Sequence, residues 1–176
     1  FYKEEHTTCY NYRLPSVANF RVLRYTAGED FVPVNVNRSV MIFLLKGEVL
    51  VSSGLHKGFV HTAGELVLHS RNSEFSFKVL KDCVVLSCAF VQCLNLCNRY
   101  AFEQLINYLP DNYQYEFQTL PIKERLKEFC TLLIHCLDDG LQCAHFHENK
   151  ENELFLLLRS YYSKEELAMF FQPLLA

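Results

Sequence analysis

The densest group of candidate metal ligands in this chain is Cys143-Ala144-His145-Phe146-His147-Glu148. Thiolate, imidazole and carboxylate all bind first-row metals, but the C-x-H-x-H spacing matches no structural zinc pattern. The segment reads as a loop ahead of a helix, with His145 and His147 solvated and Glu148 near the positive end of the helix dipole. His56, His61 and His69 lie in the N-terminal half, where each could line a pocket or switch with pH. The plainer expectation for a His on a strand edge is solvation. Arg71 could face an anionic effector or stand on an exposed turn. No nucleophile–base pair and no Gly-rich phosphate loop stands out, so the chain is not expected to be an enzyme.

Eight Cys are present. Cys83, Cys88, Cys93, Cys97, Cys130 and Cys136 sit inside apolar runs, where a thiol behaves as a small hydrophobe. No C-x-x-C pair occurs. Reduced, buried thiols in a cytoplasmic protein are therefore expected in place of a disulfide framework.

These residues need a scaffold, and the composition supplies one. Hydrophobic residues make up 50% and charged residues 21% of the 176 positions, enough for a globular core. No apolar run reaches the roughly 18–20 residues needed to span a bilayer, so a soluble protein without membrane contact is expected. The formal charge is −3, and Lys and Arg are scattered singly. A clustered basic face, the footprint of nucleic-acid binding, is missing. The chain opens on Phe1 and stops at Gln172-Pro173-Leu174-Leu175-Ala176, just after a helical pattern. Both ends read as cuts from a longer protein.

The pattern changes near residue 92. Before it, Phe20–Tyr25, Val40–Lys46, Val49–Ser53, Glu65–His69, Glu74–Leu80 and Cys83–Phe90 read as short strands. Leu44-Leu45-Lys46-Gly47-Glu48-Val49-Leu50 reads as a hairpin, with Gly47 supplying a positive φ at the turn. Glu74-Phe75-Ser76-Phe77-Lys78-Val79 alternates with period two, the pattern of a half-buried strand. Many short antiparallel strands at this spacing predict a barrel or sandwich.

After residue 92 the period is helical. Phe102, Leu105, Ile106 and Leu109 form a first helix ended by Pro110, and residues 111–119 form a polar, Tyr-rich loop. Pro121 opens a second helix, whose stripe is Ile122, Leu126, Phe129, Leu133 and Leu137, with Gly140 closing its end. A third covers Glu148 to Tyr162, with Leu154, Leu158 and Tyr161 on one face. Ser163-Lys164-Glu165-Glu166 is a capping box that starts a fourth.

On these residues the chain resembles cupin barrels. Their first motif is a Gly, a His-x-His, a Glu and a later Gly; here the frame is Gly28, Val34-Asn35-Val36 after Pro33, Val40 and Gly47. The second motif matches Thr62-Ala63-Gly64-Glu65-Leu66-Val67, with Arg71 where an Asn is usual. The spacing survives while the four metal-ligand positions hold Val34, Val36, Val40 and Val67. Valine has no lone pair to offer, so neither metal nor cofactor is expected, and the apolar wall suits a small-molecule effector instead. Together with His69 and Arg71, these four valines form the expected pocket wall.

The order of elements further resembles the N-terminal half of AraC-type bacterial transcription regulators. Met41–Glu48, Ala63–Leu68 and the run from Glu153 to Leu167 carry that likeness. The resemblance implies a mainly β fold with α: a cupin barrel over residues 1–92 and about four helices over residues 93–176 for dimerisation. The helix-turn-helix half that would bind DNA lies outside this sequence. Surplus apolar surface on the helices predicts a homodimer, with Leu126, Phe129, Leu133 and Leu137 at its seam. The rivals are a stand-alone cupin binding module and a metal-dependent cupin enzyme; the missing ligands weigh against the enzyme.

A negative chain without a basic face should not hold duplex DNA by itself. In a mobility-shift assay at about 150 mM salt, where the Debye length is about 8 Å, candidate operator DNA should run unshifted. A sequence-selective, salt-resistant shift would contradict the reading.

Overall fold

The computed structural model describes residues 18–35, 38–53, 58–90, 95–97 and 100–175. Two long antiparallel strands organise it. β3 (Ser39–Ser53) and β6 (Glu74–Phe90) pair along their whole lengths, from Ser39 opposite Phe90 to Ser53 opposite Phe75. The sequence pattern had suggested two strands and a hairpin in the first case, and two strands in the second. Both run through as one.

The reason lies at Gly47. It has the positive φ expected of it, +98°, but spends it on a β-bulge, not on a reversal. The register shifts between Leu44 and Lys46, between Lys46 and Glu48, and between Glu48 and Val49. Such an extra residue changes which side chains face inward. Val40, Ile42 and Leu44 face one side before it, and Val49 and Val51 face the same side after it.

The bend divides one seven-stranded sheet into two leaves. In the first, β1 (Ala18–Tyr25) pairs with the C-terminal part of β6, β5 (Glu65–His69) with the start of β3, and β9 (Leu120–Pro121) with β5. In the second, β2 (Asp30–Asn35) and β4 (Phe59–Thr62) flank the remaining parts of β6 and β3. β7 (Asn95–Cys97) and β8 (Tyr100–Ala101) form a small separate ladder.

The helical end follows. Phe102–Tyr108 is a 3₁₀ helix where an α-helix was expected. Pro121 does not open a helix: it pairs with Glu65 in β9, and Ile122 N–H donates to the Gly64 carbonyl at 2.8 Å. These sheet-edge bonds delay α1 to Glu124–Asp138. Gly140, at φ +90°, closes it as anticipated, with its N–H on the Leu137 carbonyl and Leu141 N–H on Cys136, both at 3.0 Å. α2 (Ala144–Tyr161) begins earlier than the pattern suggested. The Ser163 box caps α3 (Lys164–Leu175) reciprocally: Glu166 N–H to Ser163 Oγ at 3.0 Å, Ser163 N–H to Glu166 Oε2 at 2.7 Å. α3 continues through Pro173.

The first leaf is buried on both faces. Its outer side chains, among them Met41, Phe43, Leu66 and Leu86, share one core with Leu133, Leu154, Phe155 and Phe171 of the helices. That core corrects two expectations. Leu126, Phe129, Leu133 and Leu137, placed at a dimer seam, are only 1%, 6%, 0% and 5% exposed because they pack within the chain's own core. Burial of this kind contributes about 1.5–3 kcal/mol per large side chain to the monomer. Tyr161, expected on one face with Leu154 and Leu158, is exposed while those two are buried, and Tyr162 is buried with its hydroxyl donating to the Pro121 carbonyl. Leu132 and Leu156 do stand out to solvent.

A Cβ on Gly47 would meet the Asp82 carbonyl oxygen, with Cys83 Sγ at 2.7 Å and Cys83 Cα at 2.9 Å. Gly64 has a similar φ, +92°, with nothing within 4 Å. Gly64→Ala should therefore cost only left-handed backbone strain, about 1–2 kcal/mol. Gly47→Ala adds displacement of β6 and should cost at least about 1 kcal/mol more in urea unfolding. Equal losses would show that the bulge tolerates a side chain.

Candidate functional site

The inner faces of the two leaves enclose a cavity of about 460 Å³. Strand periodicity selects its walls. From the first leaf come Arg21, Leu23 and Tyr25 of β1, Val40, Ile42 and Leu44 of β3, Val85 and Ser87 of β6, and His69 of β5. The second leaf gives Phe31, Val49, Val51, His61, Phe75 and Phe77. Within β1, and within each leaf's part of β3 and β6, the lining residues are two apart, as a pleated strand requires, and the parity changes on β3 only across the bulge.

Aromatic rings tie the leaves together. Phe31 and Phe77 stack with centroids 4.4 Å apart, and Tyr25 meets Phe31 edge-on at 4.9 Å. At the other end the His69 ring lies on Phe75 at 4.0 Å and 11°, and Phe117 touches both His69 and Phe59.

Both cavity histidines are buried, His61 to 3% and His69 to 8% exposure, which corrects the expectation of solvated strand-edge rings. Burial, and secondarily the nearby His61, pushes the His69 pKa down to about 4. Burial also lowers that of His61, against an opposing hydrogen bond. His61 Nε2 lies 3.2 Å from the Glu65 carbonyl, which can only accept, so Nε2 carries the proton. At neutral pH the cavity thus holds two uncharged imidazoles. The Glu65 carboxylate is turned away to accept from the Thr62 hydroxyl.

Of the six residues expected on the pocket wall, Val40 and His69 line it. Val67 is fully buried opposite Ile42 in the ladder but is not a lining residue. Val34 pairs with Phe75 in β2, and its side chain is outside the described residues, as is all of Val36. Arg71 is a correction: it stands exposed on a turn, its backbone N–H bonded to Ser39 Oγ at 3.1 Å. His56 also falls outside the described residues.

The Cys143–Glu148 cluster is likewise corrected. It forms the start of α2, and His147 is buried, its Nδ1 accepting from Phe20 N–H of β1 at 3.1 Å. His145 and Glu148 are exposed. Among the described residues no three His, Cys, Asp or Glu stand together to hold a metal. The four positions that the cupin resemblance assigns to metal ligands hold Val34, Val36, Val40 and Val67 in the sequence, and valine offers no lone pair to an ion. The thiols of Cys83, Cys88, Cys130, Cys136 and Cys143 are free. Burial raises the Cys130 pKa to about 12 and that of Cys88 well above its usual value, so neither is a nucleophile.

Sequence reasoning missed Arg21, Tyr25, Phe31, Phe75, Phe77 and Ser87 as lining residues. The signal was present: Phe75 and Phe77 belong to the alternating run Glu74–Val79.

No protein-family model matches the chain, and no curated protein matches it. Among solved structures it is similar to a cupin superfamily protein from Desulfitobacterium hafniense, at 8% identity over 45% of this chain and 72% of that one, TM-score 0.41. A similar likeness holds for an RmlC-like cupin with a double-stranded β-helix fold from Methanocaldococcus jannaschii, at 13% identity, 42% and 70% coverage and TM-score 0.40. DMSP lyase DddQ from Ruegeria pomeroyi gives 16%, 43%, 39% and 0.40. Nothing about ligand or activity passes from these proteins to this chain. The chain is mainly β with a helical end, and its site is an apolar cavity between two leaves of one sheet. No helix among the described residues is long and apolar enough to cross a membrane.

An unfolded His titrates near 6.5, whereas folded His69 takes its proton only near 4. Between those values the unfolded chain binds more protons, so stability is lost as pH falls through that window, by up to about 3 kcal/mol for this group. His69→Phe keeps the ring on Phe75 without the titration. In urea melts at pH values above and below the window, the wild type should lose about 3 kcal/mol more than the variant. Parallel losses would mean that His69 is not held neutral.

Proposed function

We propose that the chain binds a small, mostly apolar molecule between its two leaves and serves as the effector-sensing half of an AraC-type transcription regulator, without catalysis of its own. The observation that carries the binding reading is the cavity itself: about 460 Å³, walled mainly by aliphatic and aromatic side chains, with few polar groups. That volume lies within the range of roughly 300–1,000 Å³ common to small-molecule sites.

The regulator reading is supported by the order of the motifs at Met41–Glu48, Ala63–Leu68 and Glu153–Leu167. It is also supported by the sheet's arrangement. The leaf that forms one cavity wall carries the helical core on its other face, so a molecule that spreads the leaves presses on the helices. DNA recognition would fall to a separate helix-turn-helix half. A dimer remains part of this reading, with a seam that avoids the four buried α1 residues.

Ile42 lies on the cavity wall and tests the site. Calorimetry with naphthamide, an uncharged two-ring probe, should show one binding event per chain. Ile42→Asp should weaken it at least about tenfold, because an unpaired carboxylate facing an apolar site costs several kcal/mol. Leu132→Asp, on the exposed side of α1, should leave it unchanged. A folded Ile42→Asp protein with full affinity would place the pocket elsewhere.

A further inference from the structure

The cavity is apolar but not uniformly so, and its polar groups are segregated. Arg21 of β1 and Ser87 of β6 stand directly opposite each other in the ladder, on the cavity face. The next residue in that row, Ile42 opposite Ser87, is apolar. β1 is an edge strand and Arg21 is exposed, so the guanidinium sits at the rim, whereas Ser87 is 7% exposed and lies inside.

Among the described residues, no carboxylate pairs with Arg21. The ion pairs among the described residues use Arg24, Lys81, Arg125 and Lys150, and no Asp or Glu lines the cavity. A guanidinium beside an apolar chamber, with a hydroxyl donor one strand away, is a fitting receptor for a carboxylate. The aromatic group of Tyr25, Phe31 and Phe77 then faces the rest of the molecule. Among the described lining residues, Arg21 is the one with a fixed charge.

We propose that the effector is an aryl or alkyl carboxylate bearing a single charge, its carboxylate held by Arg21 and Ser87 and its apolar body between the leaves. This rests on the cavity being the binding site, as proposed above.

The test is calorimetry on the whole chain at neutral pH with naphthoate and its uncharged amide, naphthamide. Naphthoate should bind about tenfold more tightly, one charge-assisted contact's worth. Arg21→Gln should remove most of the preference for naphthoate over naphthamide, and Leu132→Asp, on the exposed side of α1, should leave that preference intact. Arg21→Lys should retain part of the preference, and Ser87→Ala should weaken naphthoate severalfold. Added salt should weaken naphthoate alone. Equal affinities in the wild type, or naphthoate binding indifferent to Arg21→Gln, would overturn the carboxylate while leaving the cavity as the site. Binding of neither probe would overturn both readings.

Discussion

The fold depends on one backbone constraint, the bulge at Gly47. β3 and β6 are long enough to build a flat, extended ribbon, which could not enclose anything. The extra residue at the bulge bends the pair and changes the inward side chains from even to odd numbers, so that Val49 and Val51 join Ile42 and Leu44 on one surface. Only glycine meets both demands there: a φ of +98°, and a backbone pressed against Asp82 and Cys83. The neighbouring strands then attach to whichever half of the ribbon lies beside them, and two leaves result.

The first leaf has the harder task, because both its faces are buried. Residues of one parity pack on the helices, and residues of the other line the cavity. This explains why the apolar stripe of α1 is taken up within the chain, with Leu132 left outside it. The stripe on α1 covers the back of the cavity wall, and a change in the wall's curvature must be taken up by Leu126, Phe129 and Leu133 behind it.

Much of this was legible in the chain. The strand-then-helix order, the capping box at Ser163 and the glycine closing α1 are local patterns, and local hydrogen bonds satisfy them. The positive φ at Gly47 was legible too, but bulge and hairpin share that signal; the choice depends on whether β6 lies alongside both flanks. Pro121 was misread for the same reason, since sheet pairing from Glu65 outweighed its preference for a first helical turn. At the site, Val40 and His69 could be found from spacing. Arg21 and Ser87 could not be paired, because their relation exists only in the register between β1 and β6. His147 looked solvated in sequence, and no local pattern reveals a backbone amide arriving from a strand 127 positions away.

That contact bears on how the sheet ends. β1 is an edge, and an edge amide must find an acceptor or invite a stranger. Phe20 N–H finds the bare Nδ1 of His147, with the two rings stacked 6.1 Å apart. An imidazole is an unusual stitch for a seam between strand and helix, since a single proton converts the acceptor into a second donor and sets two N–H groups head to head. The seam is closed by a lone pair, and a proton on that nitrogen would open it.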